Sequence, residues 1–148
     1  MGGAIQVGFS SIFWNTVWTG GQAPHTLGIL CNPKHAALAF FPTEFHSNYQ
    51  WWDAMSHSGA IQFGEISPAI IPIVRVIDDW VTNRPLALLF EAKVGKGKIL
   101  ISGIDFMSDL NNRPEAAQLL FSLKKYMTGT AFNPTIAISE TQVYALTE

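Results

Sequence analysis

Two apolar runs stand out along the chain, residues 86–94 and 98–104, on either side of Gly95-Lys96-Gly97. Strand-length runs joined by a short glycine segment predict a β-hairpin. Ile99-Leu100-Ile101 is continuously apolar, which predicts a central strand covered on both faces. Further strands are expected over residues 4–9, 26–31, 60–63 and 73–77. Residues 35–41 predict a short helix that stops before Pro42. Ser47 or Asn48 is placed to cap a short helix containing Trp51 and Trp52.

The spacing becomes helical after Asn112. Ala116, Leu119, Leu120, Leu123 and Met127 form one stripe, so residues 112–128 predict the longest helix. Asn112 and Glu115 have capping-box spacing, and Pro114 falls in the first turn, where its missing N–H costs nothing. Lys124 and Lys125 suit the C-terminal end of the helix dipole. A buried strand needs cover and an apolar helix stripe needs a sheet, so Ile99, Ile101, Leu120 and Leu123 are expected in one cluster. Residues 10–19 are rich in aromatic and β-branched side chains, including Trp14 and Trp18, and Gly20-Gly21 breaks the chain after them. Asp78-Asp79-Trp80 leads into a turn at residues 82–85. Residues 135–148 read as a strand followed by a short helix.

Composition narrows the possibilities. The 148 residues are 48% hydrophobic and only 14% charged, well below the roughly 25% charged usual for soluble chains. Disorder is not expected, and so little surface charge predicts that part of the surface is covered by another domain or subunit. The net charge of −2 offers nothing to neutralise phosphates, so nucleic acid is not an expected partner. No apolar run reaches the roughly 18 residues of a membrane span. Cys31 is the single cysteine, which excludes an internal disulfide and a multi-cysteine zinc site. Met1-Gly2-Gly3 reads as a start placed before a fragment.

Candidate chemistry is thin. Gly95-Lys96-Gly97-Lys98 lacks the spacing and the Ser/Thr of a phosphate loop. Cys31 with His35 lacks the glycines that expose a nucleophile. Asp53 and His57 have i, i+4 spacing, which suits a metal or, more simply, an ion pair on a helix. Glu44, Glu91, Asp105 and Asp109 are carboxylates that the sequence does not pair into an acid and a nucleophile. Asp105 and Asp109 read more simply as caps of the loop before the helix. No motif points to a cofactor or a metal. Five tryptophans are many for this length. Trp14, Trp18, Trp51 or Trp52 could stack on sugar rings, although packing is the simpler use. Because adjacent helical residues project about 100° apart, Trp51 and Trp52 cannot both stack on one sugar; Trp52 is expected to be buried and Trp51 nearer the rim.

Several segments together carry a resemblance. They are Gly28-Ile-Leu-Cys-Asn-Pro-Lys-His35, Phe41-Pro-Thr-Glu-Phe-His-Ser-Asn-Tyr-Gln-Trp-Trp-Asp53, Ile77-Asp-Asp-Trp80, Phe90-Glu-Ala-Lys-Val-Gly-Lys-Gly-Lys98 and Arg113-Pro-Glu-Ala-Ala-Gln-Leu-Leu-Phe-Ser-Leu123. Over residues 5–134 the chain resembles the C-terminal region of large family 2 glycoside hydrolases of Bacteroidetes, the β-galactosidase-like enzymes. The resemblance implies an α/β fold, a flavodoxin-like or class I glutamine-amidotransferase-like sheet with flanking helices, lacking early βα units at the N-terminus. It implies an accessory domain over residues 1–134 with a C-terminal extension over 135–148. The family's catalytic glutamates belong to a (β/α)₈ barrel and have no matching positions here. The implied role is therefore structural, against the catalytic barrel of a periplasmic or secreted parent enzyme or in a homo-oligomer formed through an exposed sheet edge. The alternative is a carbohydrate-binding module. Glu44, His46, Trp51, Trp52 and Asp53 are the candidate carbohydrate-binding or interface residues.

Overall fold

The computed structural model describes residues 5–8, 26–64, 66–79 and 81–146. The aromatic segment 10–19 with Trp14 and Trp18, the Gly20-Gly21 break and Trp80 lie outside the described residues. The strands are β1 (Ile5–Gln6), β2 (Gly28–Cys31), β3 (Gly59–Gln62), β4 (Val74–Ile77), β5 (Leu86–Val94), β6 (Gly97–Ser102) and β7 (Ala137–Ile138). The helices are α1 (Trp52–Ser56), α2 (Pro114–Met127) and α3 (Glu140–Tyr144). The result is an α/β fold on one seven-stranded open sheet, ordered β1-β3-β5-β4-β2, with β6 and β7 also paired to β5. Among the described residues, five of the six strand ladders are antiparallel, and only β5 with β7 is parallel.

The hairpin forms where its apolar runs and glycines place it. Val94 pairs with Gly97, and Gly95 takes φ +56° in the two-residue turn, a conformation that glycine adopts without a steric penalty. The central strand, however, is β5 and not β6. Leu86 to Phe90 are all buried, whereas Ile99 to Ser102 of β6 are only half-buried. Strand β5 is the longest and pairs with β3, β4, β6 and β7.

Val74 faces Leu89 and Arg75 faces Ala87, so Leu88 is an extra residue on β5. This bulge shifts the in–out alternation by one. Before it, Leu86 and Leu88 face one core and Ala87 the other. After it, Leu89 returns to the first core, while Phe90 and Ala92 join the second.

The two faces of the sheet therefore build two clusters. The first holds Leu86, Leu88, Leu89, Trp51, Phe41, Leu119 and Leu123. The second holds Phe63, Ile66, Ala87, Phe90, Ala92 and Ile138, with Ile99 and Ile101 packed against it. The expectation that Ile99 and Ile101 share a cluster with Leu120 and Leu123 is corrected. Ile99 and Ile101 point away from α2, and Leu100 between them turns toward it, as strand alternation requires.

Helix α2 is also rotated from the expected stripe. Ala116, Leu119, Ser122, Leu123 and Tyr126 face inward, Leu120 is half-buried and Met127 is exposed. The reason is polar. Ser122 Oγ donates to the Ala37 carbonyl at 2.7 Å and accepts from Phe40 N at 3.1 Å, tying α2 to a 3₁₀ turn at Ala36–Leu38. Asn112 does not cap the helix. It closes a 3₁₀ turn at Leu110–Asn112 and donates to Asp109 Oδ1 at 2.8 Å, while Arg113 stands at the N-cap with no side-chain cap bond. The last stretch belongs to the sheet: β7 pairs with β5, and the Ser139–Gln142 capping box starts α3.

Candidate functional site

The segment from Pro42 to His57 is held to the sheet and to α2 by polar contacts. Leu30 of β2 bridges to His46, and Cys31 N donates to the Phe45 carbonyl at 2.9 Å. Asn48 Oδ1 accepts from Gln50 N and caps a 3₁₀ turn at Tyr49–Trp51, which runs directly into α1. The short capped helix expected here is present in this two-part form.

The expected order of the two tryptophans is reversed. Trp51 is 0% exposed, lies edge-to-face on Phe41 with centroids 5.1 Å apart, and donates from Nε1 to Thr43 Oγ1 at 2.7 Å. Trp52 is 51% exposed. Adjacent positions project about 100° apart, so with Trp51 turned into the core Trp52 faces outward. Trp51 therefore offers no face to a ligand.

Glu44 and His46 are exposed. Glu44 contributes its carbonyl, which accepts from Cys31 Sγ at 3.3 Å, and His46 Nδ1 contacts the Ser47 carbonyl at 2.9 Å. The structure brings Trp51, Trp52 and Asp53 together on one short element and leaves Glu44 and His46 on the adjoining loop.

Asp53 has a partner that local spacing cannot reveal. Arg113, sixty positions away, is buried and donates from Nε to Asp53 Oδ2 at 2.8 Å and Oδ1 at 3.1 Å. Its Nη1 donates to the carbonyls of Asp105 and Ser108 at 2.7 and 3.1 Å. Asp53 also meets His57 Nδ1 at 3.2 Å, the i, i+4 pair read from the sequence. Arg113 thus ties α1, the loop after β6 and the start of α2 into one joint.

The other carboxylates hold structure in the same way. Asp105 Oδ1 accepts from Met107 N and Ser108 N. The Ser108 side chain and these two amides together bring its pKa down to about 2. Asp78 is held by Arg84 at 2.8 and 3.0 Å. Burial pushes it up, but the Arg84 hydrogen bonds outweigh this and leave it below the usual carboxylate range. Asp79 Oδ1 accepts from Val81 N and Thr82 N, and these bonds likewise overcome its burial. Glu91 Oε2 accepts from Tyr126 O–H at 2.6 Å. Burial pushes the Cys31 thiol up to about 11, so it stays protonated at neutral pH.

Among the described residues, no group of three or more His, Cys, Asp or Glu side chains is placed to hold a metal ion. No described helix is long and apolar enough to cross a membrane. A search of curated proteins finds no match to this sequence. A family model described as "Domain of unknown function (DUF8487)" matches residues 1–148, and the chain belongs to that family.

Proposed function

We propose that this chain is a non-catalytic accessory domain of a β-galactosidase-like family 2 glycoside hydrolase, with an interface-forming role. The observation that carries the reading is the apolar surface around the 40–52 segment. Phe40, Phe45, Tyr49 and Trp52 are all exposed, and Phe121 lies edge-to-face on Phe40 at 5.5 Å. Exposed aromatic side chains in such density mark interaction surfaces, where aromatic residues are enriched. The same segment carries the most specific part of the resemblance. The structural commitments of Asp53, Asp78, Asp79 and Asp105 support the absence of a catalytic pair. The partner in this reading is the catalytic barrel of the parent enzyme or a second copy of the chain.

The finer kinship, to flavodoxin-like or class I glutamine-amidotransferase-like sheets, belongs to the same proposal. Helix α2 covering one face of the sheet supports it. The antiparallel ladders count against the doubly wound, parallel form of such a sheet. Association decides the functional reading. Size-exclusion chromatography with light scattering is run on the chain alone and mixed with a separately produced family 2 barrel. A complex or a dimer that Phe45→Ser and Trp52→Ser weaken together is the expected result. A monomer that ignores the barrel, or binding unaffected by both changes, refutes the reading.

A further inference from the structure

The partner edge of β5 is interrupted. Strand β6 occupies one edge of β5 from Leu89 to Val94. Strand β4 reaches Leu89 on the opposite edge, and β7 begins at Lys93 on that same edge. Between them, Phe90 to Ala92 have no strand partner there among the described residues. Lys93 N donates across this edge to the Ile136 carbonyl at 2.8 Å. Backbone groups on one edge recur every second residue, so the N–H and C=O of Glu91 face the gap.

A cleft of about 300 Å³ opens at this point, lined by Asn32, His35, Ile73, Glu91, Thr135 and Ile136 among others. That is at the small end of the range for ligand sites. Three of the polar side chains lining it, Glu91, His35 and Asn32, are held by hydrogen bonds. Tyr126 O–H holds Glu91 Oε2 at 2.6 Å, and the Tyr126 ring packs edge-on against His35 at 5.5 Å. His35 Nδ1 accepts from Ala37 N at 3.1 Å. A neutral imidazole whose Nδ1 accepts carries its proton on Nε2. Burial lowers the His35 pKa against the opposing pull of Glu91, which keeps the ring neutral. Asn32 Oδ1 is used by Lys34 N at 3.0 Å, which leaves its Nδ2 as a donor.

This inventory selects a ligand class. The lining side chains offer Asn32 Nδ2, His35 Nε2–H and Thr135 O–H as donors and the Glu91 carboxylate and Thr135 Oγ1 as acceptors, and the Glu91 backbone adds one N–H and one C=O. An anion would be repelled by Glu91. A cation would meet one carboxylate, already hydrogen-bonded to Tyr126, with two fixed donors set against it. Hydroxyl groups both give and accept and carry no charge. Ile71 and Ile136, also in its lining, supply apolar surface for a C–H face.

We propose that this cleft binds a small neutral polyhydroxylated molecule, with Glu91 and His35 as its polar anchors. The inference does not rest on the accessory-domain reading, because it uses neither the 40–52 surface nor a protein partner.

The test is a ¹H–¹⁵N NMR titration of the chain with glucose and myo-inositol, alongside putrescine and acetate as charged controls. Saturable shifts at the Glu91, His35 and Ile136 amides with one of the polyols are expected, at millimolar affinity. Glu91→Gln, which removes the charge-assisted hydrogen bond, should weaken binding at least tenfold. Thr135→Trp, at an exposed position on the cleft wall, should abolish it. The second variant carries the test if the first does not fold. Absence of saturable shifts with both polyols, shifts with putrescine or acetate alone, or polyol binding that survives Thr135→Trp would each overturn the proposal.

Discussion

Single side chains in this protein are valued by what lies behind them. Trp51 and Trp52 are neighbours of one chemical type, yet Trp51 is fully buried and donates a hydrogen bond from its indole, whereas Trp52 is half exposed. Trp51→Ala should cost about 3–5 kcal/mol, the usual loss for a buried aromatic. Trp52→Ala should cost no more than about 1 kcal/mol, as expected away from the core. Urea denaturation of both variants measures the difference, and equal losses would contradict the packing described. The carboxylates make a second residue-scale prediction. Asp78, Asp79 and Asp105 have folded pKa values below their ordinary ones. Depressed folded values mean that the stabilisation is complete above the unfolded pKa of about 3.9. It is lost as the pH falls from there through the folded values, because the unfolded chain then binds more protons. Urea midpoints should therefore drop steeply between about pH 4 and 2, and Asp78→Asn should make that drop shallower. An identical slope in wild type and variant would remove Asp78 from the account.

At the scale of elements, the bulge at Leu88 and the tie from Ser122 decide which faces meet. Hairpin residues on alternate positions feed different clusters, so Ile99 and Leu123 lie on opposite sides of the sheet. Ile99→Ala and Leu123→Ala should each destabilise, by about 1–3 and 2–5 kcal/mol, with the smaller loss at the half-buried site. In the double variant the two losses should add to within about 0.5 kcal/mol, since the sites share no partner. A coupling well beyond that would place both residues in one cluster, as the apolar pattern alone implies. Gly103, just past β6, marks another close approach. A Cβ built there would lie 2.0 Å from the Gly59 carbonyl oxygen, so the β3–β6 contact depends on glycine at this position.

For the molecule as a whole, two carboxylates serve as joints between elements. Asp53 with Arg113 links α1 to the start of α2, and Glu91 with Tyr126 links the sheet to the end of α2. A retaining glycosidase needs two carboxyl groups about 5–5.5 Å apart with room for a sugar between them. Groups locked into buried ion pairs and turns do not meet that need. The purified chain should accordingly show no turnover of nitrophenyl β-galactoside above background. Activity that survives repurification and disappears with Glu44→Gln or Glu91→Gln would show a catalytic pair instead.

Local pattern determined a good part of this. The 95–97 turn, the strands around 28, 60, 74 and 90, the helix beginning at Pro114 and the terminal strand and helix all follow from short-range preferences. Glycine is tolerated where φ is positive, proline where no N–H is needed, and apolar spacing reports the period of the element. The Asp53–His57 pair was legible for the same reason, since His57 caps the short helix that carries Asp53. What local pattern could not decide is which elements face each other. Strand β5 becomes central because four strands pair with it, and the extra residue at Leu88 shows only against the register of β4. Ser122 faces inward because the Ala37 carbonyl needs a donor there. Arg113 meets Asp53, and Tyr126 meets Glu91, across sixty and thirty-five positions. Buried polar groups must find partners wherever the folded chain brings them, and that choice is made only in three dimensions.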